Sequence, residues 1–150
     1  MNIKVPPPIV MFVFGGLMYG LDAFLPVGEF DFFGRRELQY FAWSLAAFLM
    51  LMAFWKFRKA RTTTNPIEPL KAKKLVINGI YKYTRNPMYL AMLLILIGFG
   101  LKLGNAFNTI TAAAFVYYMN HFQIRREEEA LTKLFGKEYR LYLKATRRWF

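Results

Sequence analysis

Two polar clusters in an otherwise apolar chain contain the residue types that could bind a ligand or carry out chemistry. The first includes Tyr81, Arg85, Asn86 and Tyr89, and the second is the charged run 125–129. Polar groups at the ends of apolar segments are costly unless they are paired or used, so these are candidate site residues. The sequence therefore directs the search for function to these two clusters.

The dipeptide Asn86-Pro87 predicts the start of a helix. The residue before a proline avoids helical angles, whereas proline itself suits the first helical turn. The N–H groups and positive dipole end of such a helix could bind an anion such as a carboxylate. The alternative is an ordinary membrane helix start, in which Arg85 reaches lipid headgroups and the neighbouring tyrosines form an interfacial belt.

The second cluster also has two interpretations. A carboxylate from Glu127 or Glu128 could accept both hydroxyls of a ribose or favour a nearby cation. Alternatively, the cluster is a solvated helix face on which Glu129 pairs with Lys133 four residues later. His121 is expected to be an interfacial or packed polar residue rather than a catalyst.

Composition indicates a membrane protein. The 150 residues are 56% hydrophobic and 19% aromatic, which is more than a soluble core of this size needs. The net charge is +12, and the basic residues lie between apolar runs and not along one continuous face. Anionic lipid is therefore favoured over nucleic acid as the partner. The absence of cysteine and the presence of a single histidine argue against disulfides, thiolate chemistry and a metal site.

Hydropathy predicts an all-α membrane bundle of about four transmembrane helices in a single domain, residues 1–150. The Gly104-Asn105 step predicts a tight hairpin between the last two helices, and a cytoplasmic amphipathic helix is expected from Gln123 to about Ala145, broken at Gly136. The first run is expected to be a retained helix because no small-residue cleavage site follows it. The four apolar runs are Ile9–Leu25, Phe41–Phe57, Met88–Leu103 and Ala106–Phe122.

Charge in the connections predicts the orientation. Basic residues dominate the segment between the second and third runs and the C-terminal tail, whereas the end of the first run and the connection to the second together carry four acids. Because cytoplasmic loops are enriched in lysine and arginine, both termini and the two polar clusters are expected on the cytoplasmic side.

Taken together, the clusters resemble a known family. The run Gly79–Tyr89, an apolar hairpin, Glu127-Glu128 with Leu131, and then the segment Phe135–Tyr139 are similar in order and spacing to isoprenylcysteine carboxyl methyltransferases. Phospholipid N-methyltransferases are relatives of that family. The resemblance covers about Lys71 to Trp149 and implies a cytoplasmic-side pocket for S-adenosylmethionine, within residues 71–150, and a lipophilic substrate that arrives from the bilayer.

The resemblance implies roles for individual residues. The cofactor-binding set comprises Lys73, Lys74, Leu75, Val76, Tyr81, Asn86, Pro87, Met88, Tyr89 and Glu127. The catalytic set comprises Arg85, Asn86 and Glu128, and the substrate set comprises Gln123, Arg125 and Arg126.

Three positions depart from the family's pattern. Asn86 stands where the family has histidine, and an asparagine cannot titrate near neutral pH. Ala91 stands where glycine is common. Gln123 aligns with the family's substrate-contacting arginine, which leaves Arg125 or Arg126 as stand-ins.

The predicted function is methyl transfer from S-adenosylmethionine to a lipophilic or membrane-borne substrate. Such a transfer mainly needs alignment of donor and acceptor and exclusion of water. O-methylation of a carboxylate is favoured because a carboxylate needs no base, whereas N-methylation of a phospholipid or amine would need one. A small non-enzymatic membrane transporter or scaffold is the alternative of a different class. The sequence does not indicate an oligomeric state.

Overall fold

The computed structural model describes residues 5–25, 28–60 and 74–150, and this part of the chain is helical without strands. Five α-helices form it, with a 3₁₀ turn at Gly79–Lys82 before the third and a π-helical segment at Met119–Ile124 between the last two. The helices are α1 (Pro7–Phe24), α2 (Arg35–Ala60), α3 (Pro87–Leu103), α4 (Phe107–Tyr118) and α5 (Arg125–Ala145).

Helix α3 lies at the centre of the bundle and packs against α1, α2 and α4. Its buried residues Met92 and Leu96 join Met18 of α1 and Phe115 of α4 in one apolar core. Apolar side chains also cover much of the outer surface, including Phe12 at 72% exposure. Exposed apolar surface of this extent is what a lipid-facing bundle needs, because lipid is as apolar as the protein interior.

Small residues bring α2 and α3 close together. Ala46 and Ala91 are fully buried between these helices, and the Trp43 indole donates a hydrogen bond to the Ile95 carbonyl at 3.2 Å. A Cβ atom at Gly98 would overlap the Trp43 ring. Glycine at this position therefore allows the indole to lie against the α3 backbone.

A tight turn joins α3 to α4, as the Gly104-Asn105 step predicts. Gly104 ends α3 in the left-handed conformation, with φ of 79°. The buried Asn105 amide donates to the Leu25 carbonyl at 2.9 Å and accepts from the Phe107 N–H at 3.0 Å. One side chain thus satisfies backbone groups at the end of α1 and at the start of α4.

The last helix is continuous from α4 through the π-helical segment into α5. Gly136, with φ of 55° and ψ of −120°, interrupts the helical geometry of α5, at the position where the sequence predicts a break. After α5 the chain returns to the start of α3, where Thr84 and Arg147 form an isolated bridge.

Length and composition identify α1 and α2 as candidate membrane-spanning helices. The apolar α3 has 17 residues, and α4 has 12 before the π-helical segment begins. Of the four spans predicted from hydropathy, two therefore meet the usual length for crossing a bilayer. The threonines at 62–64 followed by Asn65-Pro66 indicate a linker or turn, and these residues lie outside the described part of the chain.

We expect Gly98→Ala to destabilise the protein. The added methyl group would displace the Trp43 indole, and overpacking of this kind costs about 1–3 kcal/mol. Thermal unfolding of the detergent-purified protein measures the effect. Gly16→Ala is the matched control, because no neighbouring atom lies within 4 Å of its added Cβ atom. Equal melting temperatures for the two variants would contradict the proposed Trp43 contact.

Candidate functional site

A cavity of about 340 Å³ brings the two polar clusters together. This main cavity lies between the start of α3, the 3₁₀ turn, α5 and the ends of α1 and α2. Its volume is at the lower end of the range for small-molecule sites, about 300–1,000 Å³. The main lining residues are Pro7, Phe57, Leu75, Tyr81, Asn86, Met88, Tyr89, Glu127, Glu128, Leu131, Phe135, Tyr139 and Tyr142.

Glu127 is held by two side chains of different elements. Its Oε1 atom accepts a hydrogen bond from the Tyr89 hydroxyl in the first turn of α3 and another from the Gln123 amide one turn earlier on its own helix. An ionised carboxylate can accept about four hydrogen bonds, so hydroxyl donors of a ligand can share Glu127 with these partners.

Glu128 belongs to an arginine–glutamate network, which we define as Arg85, Glu128 and Arg148. The Arg85 Nη2 atom lies 2.9 Å from Glu128 Oε1, and the Arg148 Nη2 atom lies 2.6 Å from Glu128 Oε2. The Glu128 and Arg85 side chains are only 14% and 11% exposed. Removal of two such charges from water is offset only when they are paired, so Glu128 is a structural part of the cavity wall.

Arg85 also holds the end of α5. Its Nη1 atom donates to the Leu143 carbonyl at 2.7 Å and to the Thr146 carbonyl at 2.5 Å. The last carbonyls of a helix have no partner within the helix and carry partial negative charge, so a cation there is favourable.

Asn86 contacts the C-terminal tail. Its side-chain amide donates to the Arg148 carbonyl at 2.9 Å, and the Thr84 hydroxyl donates to the same oxygen at 3.3 Å. Next along the chain, the Trp149 indole donates to Asn120 at 3.0 Å. The tail is therefore fastened to both halves of the site.

Aromatic side chains supply much of the remaining wall. The Tyr142 hydroxyl donates to the Tyr81 carbonyl at 2.6 Å, and the Phe57 ring packs edge-on against the Tyr81 ring. Burial raises the pKa of Tyr81, with further contributions from Tyr142 and Glu127. Burial likewise raises the pKa values of Tyr139 and Tyr142, so these three phenols are protonated at neutral pH.

Most residues predicted from the sequence line this cavity. Gln123 lies behind Glu127 rather than at the wall, and the exposed Arg125 and Arg126 are not among the lining residues. Lys73 lies outside the described residues. Those that do line the cavity are Lys74, Leu75, Val76, Tyr81, Arg85, Asn86, Pro87, Met88, Tyr89, Glu127 and Glu128.

Several residues that line the main cavity or support its wall were not among the predicted site residues. Arg148 completes the arginine–glutamate network, and its only sequence signal is the basic, aromatic ending of the chain. Phe57 and Pro7 come from helices that are distant in sequence, and no local pattern marks them. The apolar spacing of α5 does mark Leu131, Phe135, Tyr139 and Tyr142 as one helix face, which is the face that lines the cavity.

Comparison with known proteins identifies the family. The phospholipid methyltransferase family model matches residues 35–138, more than half of the chain. The chain therefore belongs to the phospholipid methyltransferase family, and this membership implies a membrane methyltransferase. A protein from Haemophilus influenzae that carries the name "Uncharacterized protein" is 47% identical over 62 residues, which cover 41% of this chain and 98% of the relative.

We expect Glu128→Gln to destabilise the protein strongly. The change removes the negative charge that faces two guanidinium groups, and loss of one partner from a buried ion pair costs about 3 kcal/mol. Thermal unfolding in detergent measures it. Glu129→Gln is the neighbouring control, because Glu129 is 62% exposed and its pair with Arg125 contributes less than about 1 kcal/mol. Equal effects would show that the arginine–glutamate network does not hold the wall.

Proposed function

We propose that this protein transfers a methyl group from S-adenosylmethionine to a lipophilic, membrane-borne acceptor. The observation that carries the proposal is the shared main cavity, in which Tyr81, Asn86 and Glu127 line one space of small-molecule size and Tyr89 donates a hydrogen bond to Glu127. Family membership supports the same reaction class.

The chemistry of the wall fits this cofactor. S-adenosylmethionine supplies a sulfonium methyl group, and its adenosine has a flat ring and ribose hydroxyls. The Phe57, Tyr81 and Phe135 side chains offer aromatic and apolar surface, and the Glu127 carboxylate offers an acceptor for hydroxyls. Aromatic faces and carboxylates also favour a cationic ligand. We therefore assign cofactor binding to the wall formed by Leu75–Val76, Tyr81, Asn86–Tyr89 and Glu127, with Lys74 at its edge.

An amine is the acceptor class that the cavity favours. Arg125 and Arg126, the cations predicted to hold a carboxylate, are exposed and are not lining residues, and Arg85 is engaged by Glu128 and two carbonyls. An amine must lose a proton before it attacks, and the Tyr89–Glu127 pair is the group that we propose accepts it. A phospholipid amine headgroup is consistent with the family.

A carboxylate acceptor, as in isoprenylcysteine carboxyl methyltransferases, is the second candidate. It is favoured by Lys74, an exposed cation at the edge of the main cavity that could neutralise a carboxylate. In this variant of the proposal, Arg125 or Arg126 would contact a part of the substrate that extends beyond the cavity.

The proposed setting is a multi-pass membrane protein with both termini and the main cavity on the cytoplasmic side. The basic segments that flank the cavity support this orientation. Membrane lipids are the proposed partners, and the acceptor would reach the cavity from the bilayer. The transporter or scaffold alternative has neither the family match nor an explanation for the shared cavity.

Glu127→Gln should weaken S-adenosylmethionine binding at least about tenfold, because loss of a charged hydrogen-bond acceptor costs about 1.5–3 kcal/mol. Calorimetry with detergent-purified protein measures the dissociation constant. Glu138→Gln, an exposed acid of the same helix, is the control and should bind like the wild type. If Glu127→Gln and Glu138→Gln bind equally well, Glu127 is not the cofactor's acid.

Treatment with base distinguishes an amine acceptor from a carboxylate acceptor, because the transferred methyl group differs in its stability. We expect labelled methyl incorporated into a membrane lipid extract to remain non-volatile after mild alkaline treatment, because N-methyl groups survive this treatment whereas methyl esters release volatile methanol. The Glu127→Gln protein provides the background. Volatile label from the wild type alone would establish the carboxylate instead, and absence of wild-type incorporation would count against methyl transfer to these lipids.

A further inference from the structure

Glu128 borders a second depression in addition to the main cavity. This polar groove is open, encloses about 740 Å³, and is lined by His121, Arg125, Glu128, Glu129, Lys133 and Arg148 among others. It is formed by the π-helical segment, the first half of α5 and the C-terminal tail. Of the side chains that line the groove, Glu128 also lines the main cavity but lies outside the wall assigned to the cofactor. Arg148 contacts Glu128 without lining the main cavity.

One ridge of the long last helix leads into the groove. His121, Arg125, Glu129 and Lys133 follow one another at four-residue spacing and so lie on one side of the helix. His121 begins this ridge, and its ring stacks on that of Tyr117 with centroids 4.1 Å apart. Aromatic rings therefore lie at the start of the ridge, and the basic side chains of Arg125 and Lys133 follow.

The groove carries an excess of positive charge. Glu128 is already balanced by Arg85 and Arg148, and Glu129 lies 3.4 Å from Arg125. The Glu129–Lys133 pair expected for a solvated helix face is not formed. Within the described residues, no carboxylate lies within ion-pair distance of Lys133.

We propose that the polar groove binds the phosphate of an anionic lipid headgroup. Arg125 offers a planar pair of N–H donors and Lys133 an ammonium group, and both suit phosphate oxygens. Among the described residues, the 71% exposed Arg125 is held by a surface ion pair with Glu129, so its guanidinium can turn to a phosphate at little cost.

The neighbouring surface favours a lipid over a soluble phosphate ester. Tyr117 and Phe122 are 63% and 50% exposed where the last helix leaves the apolar bundle, and exposed aromatic side chains of this kind lie at membrane interfaces. Basic side chains immediately beyond such a belt face anionic headgroups. This proposal does not depend on methyl transfer.

Native mass spectrometry of the protein in maltoside micelles tests it, with added phosphatidylglycerol, phosphatidylcholine or glycerol 3-phosphate. We expect the wild type to retain phosphatidylglycerol in preference to phosphatidylcholine. Arg125→Gln and Lys133→Gln should each weaken that binding about fivefold, the effect of one basic residue near anionic lipid. Lys137→Gln, an exposed base of the same helix that does not line the groove, should change it little.

Three results would overturn the proposal. Equal losses in Lys133→Gln and Lys137→Gln, or no preference for phosphatidylglycerol, would indicate diffuse attraction by net charge. Binding of glycerol 3-phosphate as strong as that of phosphatidylglycerol would show that the occupant is a soluble phosphate ester and not a lipid. Because Lys133 and Lys137 belong to none of the sets proposed for methyl transfer, calorimetry of Lys133→Gln and Lys137→Gln with S-adenosylmethionine should give wild-type affinity, which separates this result from the test of methyl transfer.

Discussion

The guanidinium of Arg85 is the contact on which the site depends. It joins the segment before α3 to Glu128 at the start of α5 and to the carbonyls of Leu143 and Thr146 at its end. Loss of one partner from a largely buried ion pair is strongly destabilising, so separation of these segments would be costly. Because Tyr81 and Tyr89 flank one side of this contact and Glu127 and Tyr142 the other, the same interaction sets the width of the main cavity.

The position of Arg85 explains why two adjacent acids have different roles. Successive residues of a helix point about 100° apart, as 3.6 residues complete a turn. Glu128 consequently meets Arg85 and Arg148, whereas Glu127 meets Tyr89. Glu128 fixes the wall and also borders the polar groove, whereas Glu127 presents its carboxylate within the main cavity.

The sequence predicted the helix ends and breaks that depend on the backbone preferences of a few neighbouring residues. Asn86-Pro87 starts a helix, Gly104 ends one, and Gly136 interrupts another, because each depends on backbone angles that a few residues fix. The prediction that the two polar clusters converge came from the order and spacing of the family's motifs and not from the periodicity of apolar residues. The sequence could not show that Arg148 returns to Glu128 or that Phe57 closes a wall, because both contacts depend on how distant helices pack. Arg125 is exposed and does not line the main cavity, because residues of a helix point in different directions and only some of them can face it.

Asn86 also shows which kind of catalysis this site can support. Its amide is occupied by the Arg148 carbonyl, so the residue fastens the tail and has no proton to exchange near neutral pH. The surrounding phenols of Tyr81, Tyr139 and Tyr142 are kept protonated by burial. In the proposed reaction, positive charge on a sulfonium is dispersed as the methyl group moves, so alignment and exclusion of water supply most of the acceleration. A wall of fixed aromatic side chains around one carboxylate meets those needs without a titratable histidine, and the substitution at position 86 is therefore compatible with methyl transfer.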